Sequence, residues 1–258
     1  MYKGIFFCDV DGTILPHGDE AVSPRILSLV REATDRGYLF CISSGRIIST
    51  LAPLFEEVED LVVLSACNGC MIIHHGTDLI PNHTIEERHL GPLSSSLLRW
   101  GAIPLLSATS GLYMPSGLDH STKSLRYALK DVTRFYREVE EIEGEVLQFT
   151  GLCSGNLEAV IDNCRSAWDA FYRITITGEQ MFDICPTDKG ESLTLVREHF
   201  AVERRWTWAF GDNENDIAML EAAGAGYLMD GAHADLHDGR FVRCTDLVAT
   251  IKAIMDRA

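Results

Sequence analysis

Gly4-Ile5-Phe6-Phe7-Cys8-Asp9-Val10-Asp11-Gly12-Thr13 decides the fold. A short apolar run that meets carboxylates and a glycine reads as a buried strand leaving its sheet at the carboxyl end. Further along, Ser23-Pro24 supplies an N-cap and a first-turn proline. Ile26, Leu27, Val30 and Ala33 follow at helical spacing, and Gly37 suits the position just past a helix. Residues 38–42 form a second apolar run, closed by Ser43-Ser44-Gly45-Arg46; a helix is expected over 47–57 and a third strand over 61–64. Strands alternating with helices at this pitch predict an α/β fold, a doubly wound, Rossmann-like parallel sheet covered on both faces.

The middle of the chain has a different rhythm. After an expected hairpin over 71–80, helical patterns at 93–100, 121–137 and 156–170 alternate with strand-like runs at 103–106, 146–149, 173–177 and 181–184. The α/β pattern resumes with a helix over 189–200, a strand at 206–210, a helix over 214–223 and a strand at 227–229. The expected organisation is therefore an α/β core made of residues 1–82 and 184–258, interrupted by an α+β domain of residues 83–183.

Composition narrows the function. The 258 residues are 46% hydrophobic and 23% charged, as in ordinary globular proteins. Lys and Arg number 22 against 38 Asp and Glu, a net charge of −16 that opposes binding to nucleic acid or anionic membrane. No apolar run approaches the ~20 residues of a membrane span. Asp9 comes too soon for a secretory leader, so a cytoplasmic protein is expected. The eight cysteines then read as reduced thiols, and the single pair Cys67-x-x-Cys70 cannot complete a four-cysteine zinc site.

Four polar fragments sit where a parallel sheet places its chemistry, beyond the carboxyl ends of strands or at helix starts. Each also has a plain structural reading. Asp9 and Asp11 could be two solvated loop acids. Gly211-Asp212-Asn213-Glu214-Asn215-Asp216 could cap a helix, although capping accounts for only one or two of these groups. Ser44-Gly45 offers a hydroxyl and an open N–H at a helix start, suited to phosphate oxygens. Lys189, taken alone, is a surface lysine. Acidic oxygens at two strand ends suit a hard divalent cation such as Mg²⁺.

In this order the fragments resemble those of the haloacid dehalogenase superfamily of phosphohydrolases. They read Asp9-x-Asp11-Gly12-Thr13, Ser44-Gly45-Arg46, Lys189-Gly190 and Gly211-Asp212-x-x-Asn215-Asp216-x-x-Met219-Leu220. The insertion between the second and third fragments is similar to the large α+β cap of the Cof-type group, and Asn68-Gly69 and 229–232 also fall where that group has recognisable sequence. One departure is Gly231, where many relatives have Asn.

The resemblance implies a Mg²⁺-dependent phosphatase acting on a small phosphorylated metabolite, such as a sugar phosphate. Asp9 would be the nucleophile and Asp11 the general acid and base. Asp9, the Asp11 carbonyl, Asp212 and Asp216 would hold the metal, and Ser44, Gly45, Asn215 and Lys189 the phosphoryl oxygens. Arg46 would either reach substrate or pair with acids. A sugar phosphomutase of the same superfamily, or a non-catalytic phosphate and metal sensor, are the alternatives. Finally, Lys123, Arg126, Lys130, Arg134 and Arg137 recur at helical spacing; the stripe is either solvated surface or a guide for anionic substrate.

Overall fold

The structure, a computed structural model, describes residues 2–16, 18–117 and 134–257. The chain forms two compact units, Met1–Pro81 with Asp188–Ala258, and Asn82–Thr187.

In the first unit β1 (Gly4–Asp9) lies between β2 (Tyr38–Ser43) and β12 (Thr207–Gly211), parallel to both. Outward from β2 come β3 (Val62–Ala66), β4 (Met71–His74) and β5 (Thr77–Asp78), the last two antiparallel; outward from β12 come β13 (Ala225–Met229) and β14 (Val242–Cys244), both parallel. Alternation splits the strands between two faces. Ile5, Phe7, Leu39 and Cys41 join Leu193 and Val196 of α5 (Lys189–His199) and Met219 and Leu220 of α6 (Ile217–Ala222). On the opposite face Phe6 packs its ring against Tyr38, Phe40 and Trp208. Helix α1 (Pro24–Asp35) buries Ile26, Leu27, Leu29, Val30 and Ala33, outside the first cluster, and packs on β2 and on α7 (Leu247–Met255).

The helix expected over 47–57 is short. Helix α2 (Ile48–Leu51) gives way to a 3₁₀ segment, Ala52–Leu61, broken at Phe55 and Val58. Pro53 is the cause: it has no N–H to donate and its ring crowds the preceding turn. Ser44 and Gly45 therefore precede a four-residue helix instead of opening a long one.

The second unit is a six-stranded sheet in the order β10-β11-β9-β6-β7-β8. The strands are β6 (Ala102–Ala108), β7 (Gly111–Pro115), β8 (Arg134–Tyr136), β9 (Val146–Cys153), β10 (Arg173–Gly178) and β11 (Met181–Cys185). One face carries Leu106, Tyr113, Phe149, Phe182 and Ile184, packed with Leu93 and Leu97 of α3 (Glu87–Trp100) and Val160, Ile161 and Cys164 of α4 (Leu157–Trp168). Ile184 and Cys185, assigned by pattern to the core, complete β11, so this unit runs on to Thr187.

The helix expected over 121–137 is corrected where it can be seen. Arg134–Tyr136 is a strand parallel to β7, and Arg134 pairs with Glu143 and faces the Tyr113 ring. Lys123, Arg126 and Lys130 lie outside the described residues. All eight cysteines are buried, and none is in a disulfide. Among the described residues no helix is long and apolar enough to cross a membrane.

Candidate active site

The site is built at the carboxyl ends of β1, β2 and β12, where parallel strands stop and their polar successors turn away. Asp9 closes β1. The chain then coils: Ile14 N–H donates to the Asp9 carbonyl (3.3 Å), Leu15 N–H to Val10 (2.8 Å), and Gly12 N–H to Leu15 (2.8 Å). Gly12 makes this possible at φ +92°, and a Cβ there would overlap the Asp212 carboxylate. Asp9 and Asp11 consequently part company. Asp9 is buried, whereas Asp11 remains half exposed.

Asp212 follows β12, and Thr13 Oγ1 donates to its Oδ1 (3.1 Å), tying the two strand ends together. Capping accounts for part of the acidic run. Asn213 Oδ1 accepts from Glu214 N–H (2.8 Å), and Asp216 Oδ2 accepts from the N–H groups of Asp212 (3.0 Å) and Asn213 (3.1 Å). It leaves over Asp212 and the other oxygen of Asp216.

That other oxygen meets Lys189. Asp188 caps α5 by accepting from Gly190 and Glu191 N–H, both at 2.9 Å, which sets Lys189 in the first turn pointing inward. Gly190 lets α5 approach closely, since a Cβ would stand 2.5 Å from the Ala218 carbonyl. Lys189 is no surface lysine: it is 1% exposed, and its Nζ donates to Asp9 Oδ1 (2.5 Å) and Asp216 Oδ1 (2.6 Å). Burial alone would drive Lys189 toward neutrality, but Asp216 and Asp9 outweigh it, and its pKa rises. Asp9 is pushed well above the usual carboxylate range by burial and by the Asp216 charge, with Lys189 opposing.

Asp9, Asp212 and Asp216 each offer an oxygen within 4.8 Å of the others, and all three are buried. Three carboxylates against one ammonium leave the cluster with surplus negative charge that burial makes costly. An oxygen-only, over-anionic donor set of this kind fits a hard divalent cation. The Asp11 carboxylate is not in that group, because Arg46 holds it: Nε donates to Oδ2 (2.8 Å) and Nη2 to Oδ1 (2.6 Å).

The expected phosphate-side residues lie on the same rim. Ser44 is buried; its N–H donates to Ser65 (2.9 Å) and its Oγ accepts from Arg46 N–H (3.2 Å). Gly45 beside it is half-buried. The Asn215 side-chain amide donates to Asn68 Oδ1 (3.0 Å). Asn68 follows Cys67 in the left-handed region, φ 54° and 49°, so the turn after β3 holds two successive non-glycine residues where such residues are uncommon. Thr13 is part of the first motif, but its tie to Asp212 carries no sequence signal, and the buried Ser65–Ser192 hydroxyl pair (2.7 Å) has none beyond its proximity to the motifs.

The model of the haloacid dehalogenase-like hydrolase family matches residues 6–238 of this chain. A Haemophilus influenzae protein named as a phosphatase is 26% identical over 247 residues, covering 90% of this chain and 88% of its own. A Bacillus subtilis 5-amino-6-(5-phospho-D-ribitylamino)uracil phosphatase is 23% identical over 229 residues, covering 87% and 82%. The solved structure of the subclass IIB sugar phosphatase BT4131 shares the fold, with a TM-score of 0.81 at 18% identity over 97% of this chain and 98% of that one. The chain belongs to the haloacid dehalogenase superfamily of hydrolases, as a phosphatase of its Cof-type group.

Proposed function

We infer that this phosphatase is Mg²⁺-dependent and hydrolyses a small phosphorylated metabolite in two steps through an aspartyl-phosphate on Asp9. The observation that carries the reading is the buried contact of Asp9 with Lys189 beside Asp212 and Asp216. An anionic nucleophile meets an anionic phosphate only where positive charge is already in place.

Asp9, Asp212 and Asp216 would hold the cation, with the Asp11 carbonyl, and a bound Mg²⁺ would supply positive charge that offsets the repulsion between carboxylate and phosphate. Lys189 supports the same contact from the protein side. Asp9 forms the bond to phosphorus as the leaving oxygen departs with a proton from Asp11. Water then attacks the aspartyl-phosphate, giving its proton to Asp11, and Asp9 is released with inorganic phosphate. Ser44, the Gly45 N–H and Asn215 would position the phosphoryl oxygens. Residues 82–187 would serve as the cap that selects the leaving group. The names of two relatives, one for a phospho-ribitylamino-uracil and one for a sugar phosphate, favour a phosphate carried on a sugar or sugar-alcohol chain.

The test is phosphate release from a panel of phosphorylated metabolites with Mg²⁺ and no bisphosphate activator. Release is expected from wild type, and none from Asp9→Asn melting at the wild-type temperature. Wild-type turnover by Asp9→Asn would refute the assignment.

A further inference from the structure

The grip of Arg46 on Asp11 is two-pronged, and both residues hang from the ends of neighbouring strands, β2 and β1. The backbone of Arg46 is pinned as well: its N–H donates to Ser44 Oγ (3.2 Å), and its carbonyl accepts from Cys67 N–H (2.9 Å). A guanidinium presents its N–H groups in one rigid plane, so two of them on one carboxylate fix that group's rotation as well as its place. Stability is a poor reason for the arrangement. The side chains are 26% and 47% exposed, and pairs of that kind contribute little.

We propose that Arg46 is a positioning residue for Asp11, turning the carboxyl so that one oxygen faces the oxygen that leaves phosphorus. The inference rests on the role given to Asp11 above. In the first half-reaction the Asp11 proton passes to the leaving oxygen as that oxygen's bond to phosphorus breaks and the Asp9 bond forms. In the second, a proton of water passes to Asp11 as the water oxygen bonds to phosphorus and the Asp9 bond breaks. In both, the oxygen that carries no proton stays with the guanidinium, so the other returns to the same place. A phosphate-binding arginine would act on every substrate alike. A residue that aims the acid matters most where the leaving group needs a proton.

The experiment compares p-nitrophenyl phosphate, whose leaving group departs readily without a proton, with phenyl phosphate, whose leaving group needs one more. Wild type, Arg46→Ala, Arg46→Lys, Asp11→Asn and the Asp11→Asn/Arg46→Ala double variant are assayed with Mg²⁺, and inorganic phosphate binding is read by thermal shift. Arg46→Ala is expected to lower kcat on phenyl phosphate on the order of 10²-fold, and much less on p-nitrophenyl phosphate. KM and the phosphate thermal shift should stay near wild type. Arg46→Lys should recover little, since an ammonium lacks the fork. The double variant should be no slower than Asp11→Asn, because Arg46 acts through Asp11. Equal losses on both substrates, a weakened phosphate shift, or an additive double variant would overturn the proposal. If Asp11→Asn itself fails to discriminate between the two leaving groups, the role of Asp11 falls first and that of Arg46 with it. That outcome is distinct from one in which Asp11→Asn discriminates and Arg46→Ala does not.

Discussion

The ammonium of Lys189 lies 2.5 Å from Asp9 Oδ1, with both groups buried. Removing the cation strands Asp9 and Asp216 together. Lys189→Met should therefore lose about 3–5 kcal/mol of stability in urea denaturation at neutral pH. The loss should shrink in acid, because burial and the Asp216 charge raise the Asp9 pKa, and a proton taken up there relieves the repulsion that the missing cation leaves.

Phosphate release should require Mg²⁺, cease in EDTA and be inhibited by Ca²⁺. The donors are all oxygens. Mg²⁺ demands near-octahedral geometry of its oxygen ligands, whereas Ca²⁺ accepts more ligands and two-oxygen carboxylate contacts, which would turn Asp9 away from phosphorus. Titrating each ion into the apo-protein while following the melting temperature would show both bind, and only one supports turnover.

Gly12→Ala places a methyl group against the Asp212 carboxylate at a φ of +92°. The variant should lose on the order of 1–3 kcal/mol. It should also need more Mg²⁺ for half-maximal activity, because Asp212 must move. Activity against Mg²⁺ concentration, together with a thermal melt, separates the two effects.

Much of this site was legible because polar residues interrupt apolar strands. Asp9, Ser44 and Asp212 each stand at the end of a buried run, so setting the strands side by side brings them to one edge of the sheet. Lys189 was harder, since a lysine opening a helix looks exposed until the helix is turned inward by its Asp188 cap and the close approach at Gly190. Arg46 could not be assigned from pattern, because its partner is set by how the chain coils after Asp9. Pro53 is the sequence mark of the break in the helix expected through it. β7 and β8 escaped because Leu112-Tyr113-Met114 and Phe135-Tyr136 are short runs whose strand character depends on pairing across the sheet.

Asp246 caps α7 by accepting from Ala249 N–H (3.0 Å) and pairs with Arg25 (2.9 Å). Asp246→Ala should cost about 0.5–2 kcal/mol. The Ala249 N–H, and then Arg25, hold the Asp246 carboxyl below its ordinary range. A depressed pKa gives stability that is present above the unfolded value and lost as pH falls through the folded one. The gap between wild type and variant should thus be full at pH 7 and close below about pH 4. Paired urea titrations across that range would follow it.

The central position of β1 has a consequence for how the protein is made. One neighbour, β2, emerges from the ribosome shortly after it; the other, Thr207–Gly211, lies beyond the whole inserted unit. At ~5–20 residues per second the interval between β1 and that second neighbour is roughly 10–40 s. For that time one hydrogen-bonding edge of the apolar strand Ile5-Phe6-Phe7-Cys8 has no native partner, and an unpaired apolar edge is a template for misassociation. That edge of the nascent chain therefore needs shielding until residues 207–211 arrive, and only then can Asp9, at the end of β1, and Asp212, just after β12, be brought side by side.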